Sequence, residues 1–434
     1  MIHRASAWDD GTRNMNHLKF RNHKLVVLAC ALGALAYLPI LNNGFIADDY
    51  VILKRIEILK IHPLYLFQVP PENFRSVSYV IFGLFKWLAA YQAWPFYAFN
   101  IGLHVVNIVL LWRVLRIILD DEFAAELAVL FFAVFQAPQE AVMWLAAMNE
   151  TTLFFFTLLT LLAWSRKRYG LAALAYLCAL FSKESAVIVP FLVLLFDLYT
   201  ERRFVWQRYV WFAIPTAAFV ALFFLTVSNN FMLTSRSYSF GPRALLVLGK
   251  SFHRLLWPWF YIVAFTAWLT TRKLPSWRRL AGHLGAVVVV MLPYMFIAYQ
   301  TSIPSRQLYL ASAALMTMFA ILLSPLRGSS ILKLVVVVFV GFNIGYLWLR
   351  KDKQFEERAA PTTQLVGVLK GYSPQHTVIR QFAYPLPEIA SSAALAAPGW
   401  DPSLITVGDA TECHQCLLLE WKGSVIGYQA VELK

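Results

Sequence analysis

Leu25-Val-Val-Leu-Ala-Cys-Ala-Leu-Gly-Ala-Leu-Ala-Tyr-Leu-Pro-Ile-Leu41 is an unbroken apolar run, and directly after it stands Asn43-Gly-Phe-Ile-Ala-Asp-Asp-Tyr50. With its flanks the run is long enough to cross ~30 Å of hydrocarbon. Two adjacent carboxylates at the mouth of a membrane span are costly to hold near lipid and need a reason. A solvated helix end is the ordinary reason for one such pair. Other polar residues further along the chain suggest a different one.

The composition is that of an all-α polytopic membrane protein. Hydrophobic residues make up 59% of the 434, charged residues only 14%, and the mean hydropathy is +0.58; soluble domains are roughly a quarter charged. The net charge of +14 is spread in short clusters between apolar runs, which excludes a basic nucleic-acid-binding domain. Residues 1–24 read as a polar cytoplasmic tail, with no small-residue cleavage site after the first run, so that run is a retained span.

Apolar runs recur at 96–118, 123–139, 151–165, 170–181, 185–199, 209–228, 246–270, 280–299, 307–324 and 331–349, which with the first predicts about eleven spans. Residues 42–95 form the first long loop. Its segments 65–69 and 77–91 are too short, or too interrupted by Lys86, to cross, and are expected as interfacial helices. Eleven spans put the termini on opposite sides. With the N-terminus inside, the inner segments hold 19 of the 38 Lys and Arg, the tail and Arg166-Lys167-Arg168 among them. The outer loops before residue 350 hold 11, spread over much longer sequence. That bias orients the N-terminus to the cytoplasm.

Residues 350–434 read as a small exported domain, α/β or β-rich, with alternation at 404–407, 416–421 and 425–428. Cys413 and Cys416 cannot alone close a four-ligand zinc site, so a local disulfide, or no functional role, is expected outside the membrane. The catalytic or transporting part is then 25–349.

In this topology the ionisable and polar residues next to the outer ends of the apolar runs are Asp48, Asp49, Arg75, Glu140, Asn149, Glu150, Lys183, Glu184 and Arg306. Each alone has a structural explanation, such as snorkelling, capping or local pairing. Their convergence on one side of the membrane points to a site. Asn100, His104 and Asn107 share one helix face and either reach that site or bond neighbouring helices.

Six stretches in order resemble a known family. They are Asn43-Gly-Phe-Ile-Ala-Asp-Asp-Tyr50, Phe74-Arg-Ser-Val-Ser-Tyr79, Trp94-Pro-Phe-Tyr-Ala-Phe-Asn100 with His104, Ala137-Pro-Gln-Glu-Ala-Val-Met-Trp144, Phe181-Ser-Lys-Glu-Ser-Ala186 and Arg306-Gln-Leu-Tyr-Leu310. Over roughly residues 25–325 the chain is similar to the GT-C membrane glycosyltransferases, in the O-mannosyltransferase-like branch whose relatives carry tetratricopeptide repeats. The repeats are absent here. Arg75-Ser76 replaces a usual Arg-Pro pair, Ala137-Pro138 a usual His-Pro, and Glu150 stands at a usual acidic position.

The resemblance implies transfer of a sugar from a polyprenyl-phosphate carrier to a protein, glycan or lipid acceptor at the extracytoplasmic face of the bacterial inner membrane, with inversion. The chemistry suits the residues. Asp48, or Asp49, would take the acceptor proton. Arg306, Lys183 and Arg75 would hold the departing phosphate. Glu150, with Glu140 behind it, would hold the acceptor or, with Asp48, a hard cation such as Mg2+ or Mn2+. His104, Asn100 and Glu184 would support these groups. Tyr65, Phe67, Trp87, Tyr91, Trp94, Phe96 and Tyr97 are candidates to line a lateral entry for the prenyl chain, or to form an aromatic belt. A lipid-linked-sugar flippase and a non-catalytic binding scaffold are the competing classes; against the first, the charges gather at one face and no inverted repeat is present.

Cysteines placed at 229–239 or in the C-terminal domain are expected to react with an impermeant thiol reagent from outside, and cysteines at 273–276 are not. Outside labelling at 273–276 would reverse the orientation.

Overall fold

The computed structural model describes residues 23–66, 75–200, 204–226, 238, 240–270, 277–297, 301–408 and 416–430. It is mostly helical, with one small sheet near the C-terminus. Among the described residues six helices are long and apolar enough to cross a membrane: Lys24–Asn42, Trp94–Ile118, Leu145–Ser165, Trp206–Leu225, Ser305–Leu326 and Ser330–Leu369. These six are among the eleven expected runs; the other runs form shorter helices, so eleven spans are not confirmed. Glu122–Val134, Tyr169–Ser182, Val189–Thr200 and Trp277–Met291 have 13, 14, 12 and 15 residues. At ~1.5 Å per residue such helices reach only about 18–23 Å. The 246–270 run divides at Trp257-Pro258 into Arg243–Leu256, which is amphipathic, and Trp259–Thr270. Pro258 has no amide proton with which to continue the helix.

Lipid gives helices no hydrophobic drive to associate, so close backbone approach and polar bonds carry the packing. Gly33 shows this: a Cβ there would meet Ile108 Cδ1 at 2.7 Å and the Ala133 methyl at 3.4 Å. The first helix therefore lies tight against Trp94–Ile118 and Glu122–Val134. Asn107 Nδ2 donates to the Thr151 carbonyl at 2.9 Å, and Asn343 Oδ1 accepts from the Gln136 amide at 3.0 Å.

Among the described residues of the first long loop are the α-helices Asp48–Ile61 and Ser76–Ala89. Lys86, which in the sequence only interrupts an apolar segment, cross-links them. Its ammonium donates to the Leu53 carbonyl at 2.8 Å and pairs with Glu57. Arg55 adds a bond to the Tyr79 hydroxyl at 3.1 Å.

The boundary expected at 349/350 falls inside a continuous helix. Ser330–Tyr346 passes through a π turn at Leu347–Lys351 into Asp352–Leu369, 40 residues in all. The C-terminal part is thus carried on the last span. Asn43 Nδ2 donates to the Phe355 carbonyl at 3.1 Å, and Thr362 Oγ1 donates to the Phe45 carbonyl at 3.1 Å. The Asn43–Tyr50 stretch is pinned under this helix. Beyond it the sheet runs β2-β1-β3-β4, with β1 Thr377–Arg380, β2 Ile405–Val407, β3 Leu417–Trp421 and β4 Tyr428–Ala430. β1 is parallel to both neighbours, and β3 and β4 are antiparallel. Alternation located β2 and β3; β4 begins at the end of the expected 425–428 segment, and β1 is new. Cys416 is disulfide-bonded, Cys30 and Cys178 are free, and Cys413 lies outside the described residues.

A Cβ at Gly44 would collide with Thr363 Oγ1. Gly44→Ala is expected to lower Tm by the equivalent of ~1–3 kcal/mol, the usual cost of overpacking. An unchanged Tm would mean that the Asp352–Leu369 helix does not seat on this stretch.

Candidate active site

The two aspartates part company at a strained corner. Ala47 has φ 42 and ψ −101, a conformation that favours glycine, and the helix starts at Asp48 immediately after it. Asp48 lines a cavity of about 610 Å³. Asp49 turns the other way and is fully buried. Its Oδ2 accepts from the Ile46 amide at 2.8 Å and its Oδ1 from the Ala146 amide at 2.6 Å. Burial pushes the Asp49 carboxyl up to about 8, and the charge of Asp48 adds to that, against the two amides and Arg358. Asp49 is therefore a tie between the Asn43–Tyr50 stretch and the first turn of Leu145–Ser165. The catalytic expectation narrows to Asp48.

The same cavity gathers Arg75, Asn149, Lys183, Glu184 and Arg306. Arg75 pairs with Glu184 at 3.6 Å. Lys183, 2% exposed, pairs with Glu150 and lies 4.7 Å over the Tyr294 ring. Arg306 is placed differently. It and Arg358 share one carboxylate, Glu140, at 3.5 and 3.2 Å, and both lie over Trp144, at 4.9 and 4.5 Å. Two guanidiniums against one carboxylate leave this corner cationic. Among the described residues of the cavity wall, the buried atoms Ser78 Oγ, Asn149 Oδ1, Glu184 Oε2 and Gln307 Oε1 have no hydrogen-bond partner. Three of them are acceptors only, and unmatched they each cost ~1–3 kcal/mol.

Other expected residues stand outside the cavity. Glu150 is behind it, with Lys183 on Oε1 and the Tyr294 hydroxyl donating to Oε2 at 3.4 Å. Glu140 is the counter-ion of the two arginines. His104 is buried between the Tyr309 hydroxyl at 2.6 Å and the Ala133 carbonyl at 3.0 Å. Asn100 donates to the Ala141 and Val142 carbonyls at 2.9 and 3.0 Å. Both hold helices together. A divalent ion on Asp48 and Glu150 does not fit this donor set, because it would have to displace the Lys183 ammonium. Among the described residues the one cluster of three such ligands is His23, Glu122 and Glu126, at the other end of the first span.

The aromatic wall also differs from the expectation. Phe96 and Tyr97 are fully buried, with Tyr97 donating to the Gly44 carbonyl at 3.0 Å, and Trp87 and Trp94 face outward. The Tyr65 side chain and Phe67 lie outside the described residues. Phe219, Phe223, Phe240 and Phe296 line the cavity instead. Three polar residues were not anticipated: Gln307, Arg358, and Glu388 on the C-terminal helix Pro387–Ala394, which lines the cavity and pairs with Lys54 at 3.4 Å. Gln307 follows Arg306 directly, so its position was readable. Arg358 and Glu388 lie in the segment taken for a separate domain.

Compared with known proteins, the chain matches no family model and no curated sequence.

Asp49→Ala strands two buried amides and is expected to cost ~2–5 kcal/mol of stability, seen as a large fall in Tm. Since the folded carboxyl is raised, its contribution is full below about pH 4 and is lost as pH rises through about 8. The wild-type Tm should fall over that interval, and the fall attributable to this group should vanish in Asp49→Asn. An equal slope in both would remove Asp49 as its source.

Proposed function

We propose that the protein is a membrane glycosyltransferase that moves a sugar from a polyprenyl-phosphate carrier to an acceptor hydroxyl, with Asp48 as the general base. The observation that carries this reading is the content of the cavity. A carboxylate, a cationic corner and several unmatched acceptor atoms share one aromatic-walled space beside the membrane spans. A ligand suited to it offers many hydroxyl donors, an apolar ring face and a phosphate. A phosphate-linked sugar has all three.

The groups divide the work as follows. Arg306, backed by Arg358 across Trp144, receives the phosphate, because Lys183 and Arg75 are already matched by Glu150 and Glu184. Asn149, Gln307 and Glu184 accept from sugar hydroxyls, and the phenylalanine wall covers the ring. Asp48 takes the proton of the acceptor hydroxyl as its oxygen bonds to the anomeric carbon. The anomeric C–O bond to phosphate breaks, and the bonding pair leaves on the polyprenyl phosphate. Charge grows on that phosphate in the transition state, where a fixed guanidinium in a poorly hydrated site stabilises it most. The step uses no metal ligand from the cavity.

Asp48→Asn preserves shape and is expected to keep carrier binding while turnover falls ~10²-fold or more. Arg306→Ala is expected to weaken both, and Arg306→Lys to restore them only partly, since a point charge gives phosphate no two-pronged contact. Product formation unaffected by Asp48→Asn would remove the base. Tight carrier binding by wild type with no product would favour the scaffold or flippase class.

A further inference from the structure

A second cavity, of about 130 Å³, shares no lining residue with the Asp48 cavity and takes its walls from helix segments further along from it. Its walls come from Trp94–Ile118, Leu145–Ser165, Val189–Thr200, Trp277–Met291 and Tyr309–Leu323. They are apolar, Leu115, Phe154, Leu192 and Ala313 among them, apart from His283, Tyr199 and two threonines. Both threonine hydroxyls, on Thr157 and Thr317, donate to their own helices at 2.8 Å. His283 is 8% exposed, and its Nε2 has no hydrogen-bond partner.

An imidazole nitrogen left unmatched in an apolar crevice is unfavourable by about 1–3 kcal/mol. Water is a poor remedy, because a buried water needs 2–4 polar partners and apolar cavities of this size stay dry. The crevice is comparable with cavities of about 150 Å³ that take a benzene-sized ligand. It has room for one polar group and a short run of methylenes. Ile118, Leu161, Leu195 and Tyr199 on its wall are only half-buried, so it reaches the lipid-facing surface.

Depth identifies the occupant. His283 stands five residues after Arg278 and four after Arg279 in the sequence, about 6–8 Å along the helix from that basic pair. The far end of the same helix leads to Pro293 and Tyr294 in the Asp48 cavity. Basic residues at the end of an apolar run in the sequence mark the headgroup level. Just below headgroups lie the ester carbonyls of phospholipids, acceptors joined to the start of an acyl chain. We propose that the crevice holds the ester end of one phospholipid acyl chain from the leaflet opposite the Asp48 cavity, with the ester carbonyl accepting a hydrogen bond from His283 Nε2. This site is independent of the sugar-transfer reading.

The test compares lipids retained by the full chain after reconstitution in vesicles of dioleoyl phosphatidylethanolamine or its di-ether analogue, which lacks the carbonyls. Native mass spectrometry after detergent extraction reads the bound lipid. Wild type is expected to retain one ester lipid in roughly five- to tenfold preference to the ether, the equivalent of one buried hydrogen bond. H283L should abolish the preference. G282L, whose side chain would enter the crevice beside Tyr199, should lower retention of both lipids. Equal retention of ester and ether lipid by wild type would overturn the proposal, and this comparison decides even if a variant does not fold. A preference that survives in H283L would overturn it as well.

Discussion

The Asp49 carboxyl, fully buried and bonded to the amides of Ile46 and Ala146, is the tie on which the Asp48 end of the molecule depends. It joins the turn after the first span to the first turn of Leu145–Ser165. Through that turn it fixes Trp144, against which Arg306 and Arg358 lie. Burial disfavours the charged form of this carboxyl, and the two short amide bonds, together with the charge of Arg358, offset part of that cost. The compensation is positional: Asp48, its neighbour, is held on the cavity wall.

A second constraint follows from the last helix. Because Ser330–Leu369 is continuous, the segment after the last span is rooted in the bundle and seats on Asn43–Tyr50. That is how Arg358 reaches Glu140 and Glu388 reaches the cavity rim. A flexible tether at residue 350 could not place two charged groups to within hydrogen-bonding distance of the span ends. Buried ion pairs such as Lys183–Glu150 act in the same sense. They are of modest net worth to stability but costly to break singly, so they hold the wall residues in one arrangement.

Much of this was legible in the chain. Hydropathy identified the membrane class, and six of the expected spans meet length and apolarity. The ionisable residues expected together at one end of the apolar runs gave five members of the cavity, Asp48, Arg75, Lys183, Glu184 and Arg306. What hydropathy could not reveal was burial. Asp48 and Asp49 are alike in the sequence, and only the turn at Ala47 separates their directions. Lys86 and His104 look like site or surface groups until their carbonyl partners are known. The 350 boundary falls within a helix because Arg350-Lys351-Asp352-Lys353 ends the apolar run without ending the helix; a charge cluster stops hydropathy, not hydrogen bonding.

The central claim is that one cavity holds sugar, phosphate and base together. A structure of the protein with a non-transferable polyprenyl phosphonate sugar tests it most directly. The account predicts the phosphonate against Arg306, sugar hydroxyls on Asn149 and Gln307, and the anomeric carbon facing Asp48. A sugar bound away from Asp48, or a phosphonate seated elsewhere than Arg306, would contradict it.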